Sequence, residues 1–190
     1  MVFWQGIYEK AAVAVSEAGM NEEGKMTGSP RNRRMSARLS AVQVVYGMEL
    51  TGNGFTPEIA RRALKDYEEG RPGSDVDALK LCDPDPELLV HVVETVARRK
   101  EEIDNILTEA LTGGMLPERL EMLLRAVLRA GIAELLEPNG MAPCVIVGDY
   151  TTVTGAFYDD RETGMVNAIL DKLSKIIHAG IVPVEEMPSE

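Results

Sequence analysis

From Met35 onward, apolar positions recur along the chain with the period of an α-helix. Met35, Leu39, Val42, Tyr46 and Leu50 fall on one stripe, and Ser29-Pro30 just before them suit an N-cap and a first helical residue. Thr51-Gly52-Asn53-Gly54 is turn chemistry. Thr56-Pro57 then opens a second helix whose apolar face is Ile59, Ala63, Leu64 and Tyr67. Residues 70–84 read as a polar, turn-rich loop with a short helical piece at 76–81. Asp85-Pro86-Glu87 is a helix start: a carboxylate cap, a proline, and an acid suited to the positive end of the dipole. The period then runs through Leu89, Val92, Val93, Val96, Ile103, Ile106, Leu107 and Ala110, predicting one long helix stopped by Thr112-Gly113-Gly114. Pro117 predicts the next start, with Leu120, Leu124, Val127, Leu128 and Leu135 facing inward and small Ala130 and Gly131 permitting close helix approach. Pro138-Asn139-Gly140 ends that helix.

Residues 144–158 pull two ways. Val145-Ile146-Val147 and Tyr150-Thr151-Thr152-Val153-Thr154 have strand propensity. A lone strand in a helical chain would leave both its edges unpaired, so a helix is predicted. Val166, Ile169, Leu170, Leu173, Ile176 and Ile177 give a terminal helix, with His178 in its last turn and Gly180 closing it. The sum is an all-α protein of about six or seven helices without an internal repeat. Residues 1–30 differ in character: a short amphipathic helix is predicted at Tyr8–Ala18, and a linker follows, within which Met20 and Met26 are alternative starts. The expected organisation is an N-terminal extension (1–30), a helical domain (31–180) divisible into subdomains at about 31–112 and 115–180, and a C-terminal tail (181–190).

Length and composition exclude several classes. The 190 residues, 45% of them hydrophobic, suit one domain with an extension or two small lobes. No apolar run approaches a membrane span, and the N-terminus lacks a signal-peptide pattern. Cys82 and Cys144 lie far apart without metal-type spacing, which points to a reduced, cytoplasmic chain; Cys144 is expected as a buried thiol. Two histidines, His91 and His178, cannot complete a metal site or a triad with those cysteines, and His91 is expected to be partly buried or at the surface. Asp83, Asp85 and Glu87, like Asp159-Asp160, are explained as helix caps. Gly113-Gly114 is a helix terminator rather than a phosphate loop. No enzyme activity, metal or cofactor is expected.

Charge changes the picture at one place. The net charge is −11, yet no Asp or Glu lies between Gly24 and Met48, a window holding Lys25, Arg31, Arg33, Arg34 and Arg38. Without those five, 15 cations face 31 acids. Arg31, Arg34 and Arg38 repeat at i, i+3, i+7 beside the apolar stripe. One arginine at a helix edge merely solvates it. Four within eight residues, without acidic partners, point to a phosphate backbone. The acidic remainder limits stray nucleic-acid binding, so the contact should be site-directed or shared with a basic partner.

Three blocks carry a family resemblance. The run Arg34-Met35-Ser36-Ala37-Arg38-Leu39-Ser40-Ala41-Val42-Gln43-Val44-Val45-Tyr46 resembles the opening helix of the NusB family of transcription antitermination proteins. Residues 124–136 resemble its central helix, and Val166-Asn167-Ala168-Ile169-Leu170-Asp171-Lys172-Leu173 resembles its closing Val-Asn-Gly-Val-Leu-Asp-Lys motif. Between them, Asp149-Tyr150 to Phe157-Tyr158 is similar to a segment that is helical in some branches. The resemblance implies an all-α fold of two packed helical subdomains and no catalysis. It implies binding to the boxA element of ribosomal-RNA leaders as a heterodimer with the ribosomal protein NusE, within an RNA polymerase complex containing other Nus factors. By position, Arg31, Arg33, Arg34 and Arg38 match the arginine-rich RNA-binding start, and Gln43 and Tyr46 match the same helix, offering a base-edge hydrogen bond and a stacking face.

Some positions depart from the family pattern. Gly164-Met165 replace a Lys-Phe pair in the loop expected near RNA, Ala133 replaces a Tyr, and Gly148 an Asn or Asp. Two alternatives follow: an interaction module that has lost RNA affinity, or a detached relative of the NusB-like domain of RNA cytosine methyltransferases. The latter would make this chain a fragment, since few residues follow Ile177. Homodimerisation through an apolar helical face is also open.

Overall fold

Ser29 and Pro30 open the first helix as predicted. The Ser29 hydroxyl accepts the Asn32 N–H at 3.3 Å, and Pro30 takes the first helical position. The computed structural model describes residues 28–70, 83–111 and 115–179. All regular structure among these residues is helical: α1 (Pro30–Thr51), α2 (Pro57–Gly70), α3 (Pro86–Arg98), α4 (Lys100–Ala110), a 3-10 turn (Pro117–Arg119), α5 (Met122–Leu136), α6 (Pro143–Gly155) and α7 (Asp160–His178). The expectations for Tyr8–Ala18, residues 76–81, Thr112-Gly113-Gly114, Cys82, Gly180 and the tail lie outside the described residues.

Two helices run through the middle. α1 packs against α2, α3, α5 and α6, while α5 packs against α1, α3, α4, α6 and α7. Their burial follows from that. Every residue of α1 from Met35 to Val45 is buried, and so is every residue of α5 from Leu123 to Leu136 except Arg125. The single apolar stripe expected for α1 is therefore a partial description, because four neighbouring helices leave its middle no solvent side. Leu50, the last member of that stripe, is 59% exposed. The helix stops at Gly52, whose left-handed φ of 66° lets its N–H close on the Glu49 carbonyl.

The long helix predicted from Leu89 to Ala110 is two helices, broken at Arg99 (φ −109°, ψ 23°). Arg99 donates to Glu102 at 2.6 and 2.7 Å and to Glu137, just past α5, at 3.0 Å. Arg98 reaches the same Glu137 carboxylate at 2.6 Å. Burial pushes the Glu137 pKa up, but these two guanidiniums more than reverse it and hold the carboxyl below its usual range. The break left no trace in the apolar period because α3 and α4 both pack on α5. Pro117 likewise opens only a 3-10 turn, and α5 begins at Met122.

Residues 144–155 form a helix, as context predicts, and a turn follows at 156–158. The hydroxyls of Thr151, Thr152 and Thr154 donate to the carbonyls four residues back, at 2.8, 2.9 and 2.7 Å, so these strand-forming residues are satisfied inside a helix. Ile146, Val147, Tyr150 and Val153 are buried where α6 meets α5 and α7. Gly131 lets α5 approach them: a Cβ there would stand 2.9 Å from Leu170 Cδ1 and 3.4 Å from Tyr150 Cδ2.

A polar seam ties α1, α4 and α5. Glu49 accepts from Arg125 at 2.5 Å and from Arg129 at 2.7 Å. Arg129 also donates to Asp104 at 2.8 and 3.0 Å, Lys100 reaches Asp104 at 2.7 Å, and the Arg129 guanidinium lies over the Phe55 ring. Burial raises the Asp104 pKa, but Arg129 and Lys100 outweigh it and hold the carboxyl below its ordinary 3.8. Such a group binds fewer protons folded than unfolded. Its stabilisation is complete above 3.8 and is lost as pH falls through the lowered folded value. Asp104→Asn should therefore destabilise the protein at neutral pH and flatten the acid limb of its stability curve. Urea midpoints between about pH 2 and 6 test this; an unchanged limb would remove Asp104 from the acid response.

Candidate nucleic-acid interface

Three helices begin with proline at one end of the molecule. The α3 and α1 starts are joined by the Asp85 N–H, which donates to the Arg33 carbonyl at 2.9 Å. The α6 start is joined through Met141, whose sulfur lies 3.1 Å from Arg34 Nη1. Asp85 caps α3, accepting from the Glu87 and Leu88 N–H groups at 3.1 and 3.3 Å, and its other oxygen stands 3.9 Å from Arg34 Nε. The first turns of α1 and α6 contain no acid, and α6 has no side-chain cap. The α3 start brings Asp85 and Glu87 to this end, so what favours an anion here is confined to the guanidiniums of α1 and the N-terminal dipoles of α1 and α6.

The expected site residues separate into two groups. Arg31 and Arg33 are exposed and Arg34 is partly so. At roughly 100° per residue, Arg33 projects from the opposite side of α1 to Arg31. Arg38 is different. The sequence placed it on the arginine face, but its guanidinium is fully buried: a fork onto Glu134, with Nε at 2.9 Å and Nη2 on the second oxygen, and a third bond from Nη1 to Asp149 at 2.7 Å. The guanidinium is thus buried with acidic partners, where the sequence predicted a solvent-facing arginine without them. They come from α5 and α6. Gln43 is also buried, at 6% exposure, rather than presented at the surface. Tyr46 is half-buried against the core, about 18 Å along the α1 axis from Arg34.

Burial opposes each charge in the Arg38 cluster. It pulls the Arg38 pKa down, but Glu134 and Asp149 reverse this and hold it above its ordinary value. For Asp149 burial wins over Arg38 and Arg31, and the carboxyl is raised. Fully buried Tyr150 is raised well above its ordinary value by burial and by Glu134. Glu134 and Asp149 escaped sequence reasoning, although a lone acid in the apolar α5 run is the usual mark of a buried pair.

Other expectations also shift. Cys144 is exposed in the first turn of α6, not buried. Gly164 and Met165 lie in α7 rather than in a loop. His91 is partly buried, its Nε2 2.8 Å from the Glu137 carbonyl oxygen. Among the described residues there is no cluster suited to a metal ion and no helix long and apolar enough to cross a membrane.

The profile of the NusB family matches residues 35–175. The chain belongs to the NusB family. It is 34% identical over 155 residues to the transcription antitermination protein NusB of Bartonella henselae, covering 82% of this chain and 95% of that one. To the protein of the same name from Brucella ovis it is 37% identical over 158 residues, covering 82% and 90%. A solved structure of T. maritima NusB superposes with a TM-score of 0.58 at 20% identity, covering 78% of this chain and 93% of that one, and confirms the all-α fold. The named members are antitermination factors rather than enzymes. The NusB match includes Arg38, Glu134 and Asp149, whereas Arg31, Arg33 and Arg34 precede it.

Proposed function

We propose that this NusB-family chain is a cytoplasmic transcription antitermination factor. It binds boxA-type leader RNA of ribosomal-RNA operons together with the NusE ribosomal protein and acts within the RNA polymerase complex with other Nus factors. The observation that carries the RNA contact is the group of guanidiniums Arg31, Arg33 and Arg34 at the acid-free start of α1, beside the acid-free start of α6. Such groups hold phosphates and fix register without reading sequence. The acidic remainder of the chain suits a basic ribosomal protein as co-binder.

Changing Arg31, Arg33 and Arg34 together to Ala should leave the fold intact and weaken binding to boxA-type RNA. The slope of log affinity against log salt should become shallower by about 2, at roughly 0.7 for each single-strand phosphate no longer neutralised. Titration with and without NusE across a salt series tests this. A stable heterodimer without RNA binding would favour the interaction-module reading. An unchanged slope in the variant would move the RNA site elsewhere.

A further inference from the structure

We propose that Arg38, Glu134 and Asp149 form a clamp that positions the RNA-facing arginines, Arg38 being a positioning residue that never touches RNA. The inference rests on the RNA-binding reading above. Arg31, Arg34 and Arg38 share one side of α1 at i, i+3, i+7, and that side looks toward α5 and α6. The clamp joins all three helices through one guanidinium, whose planar fork accepts Glu134 in a single orientation and leaves Nη1 aimed at Asp149. One turn earlier, Arg34 rests on the Met141 sulfur just before α6, so the seating of α1 on α6 decides where the Arg34 guanidinium stands. Asp149 is the clamp's outermost member, its side chain 10% exposed beside Arg31. Apolar packing alone would hold α1 in the core; the clamp adds register, since sliding α1 by a residue would separate Arg38 from both carboxylates.

A purely structural cluster is separable from a positioning one because buried ion triads can be replaced by apolar side chains at little cost in stability. The test uses the full chain with Arg38→Met, Glu134→Leu and Asp149→Leu combined, and separately Arg38→Lys, which keeps the charge without the fork. Urea midpoints establish folding. The carbon-13 methyl resonance of Met141 reports on its packing against Arg34, with Arg34→Ala as reference. Binding of boxA-type RNA in the presence of NusE reports function. The expected result for the apolar variant is a near wild-type midpoint, a Met141 resonance moved toward that of Arg34→Ala, and RNA affinity reduced by about tenfold. Arg38→Lys should show the same two changes, and it carries the test if the apolar variant does not fold. Wild-type affinity or an unmoved Met141 resonance in a folded variant would overturn the clamp alone. Failure of the wild type to bind RNA would overturn the interface reading and the clamp's functional role with it.

Discussion

Arg38→Met is expected to destabilise the protein by about 3–5 kcal/mol at neutral pH, the range for breaking a buried ion pair from one side. The guanidinium and the Glu134 side chain are both at 0% exposure, and that of Asp149 is at 10%. Removing the cation leaves two carboxylates close together and near Tyr150, Glu134 with no exposed surface and Asp149 with only its 10% exposed edge and the field of Arg31. Burial already raises the Asp149 carboxyl, and losing Arg38 removes the largest influence that lowers it, so in this variant it should titrate further above its unfolded value. That part of the deficit is fully present at neutral pH and shrinks as pH falls and Asp149 takes up its proton. Urea unfolding at about pH 7 and again near pH 5 would show both the loss and its partial relief. Arg31→Ala is the control: an exposed arginine on the same side of α1 should change stability by no more than about 0.5 kcal/mol. Equal midpoints for the two variants would contradict the burial of Arg38.

The second large effect is steric. Gly131→Val should cost about 1–3 kcal/mol, because overfilling a packed core forces neighbours off their preferred rotamers. The first added carbon would already stand 2.9 and 3.1 Å from the two Leu170 methyls and 3.4 Å from the Tyr150 ring. Leu170 and Tyr150 are both fully buried, so neither can swing into solvent. The branched carbons of valine add to the conflict, and valine recovers only part of the advantage, about 0.5–1 kcal/mol, by which alanine exceeds glycine in a helix. Thermal unfolding of Gly131→Val beside Gly131→Ala would decide it. A valine variant as stable as the wild type would mean that α5 and α7 can separate freely at this level.

Much of the fold was legible because its signals are local. Ser29, Thr56 and Asp85 accept the N–H bonds their positions predict, and Gly131 stands at a close helix approach. What was illegible depends on distant partners. The bend at Arg99 answers to Glu137, and the period of apolar residues is blind to a turn that keeps both halves against α5. The candidate site divides the same way. The arginine cluster is visible in sequence, but which guanidiniums face water is decided by acids about a hundred residues away. Arg38 and Arg31 look alike on a helical wheel; Glu134 and Asp149 separate them.

That separation in the chain has a consequence for synthesis. Glu134 lies 96 residues after Arg38, and Asp149 lies 111 after it. At ordinary elongation rates α1 leaves the ribosome roughly 5–20 s before its counter-charges do. A helix whose middle is buried on every side in the finished protein must spend that interval with the faces that meet α5 and α6 uncovered and its buried arginine still hydrated. The nascent N-terminal half is thus a natural client for a holding chaperone, and the fold can close only when α5 and α6 arrive.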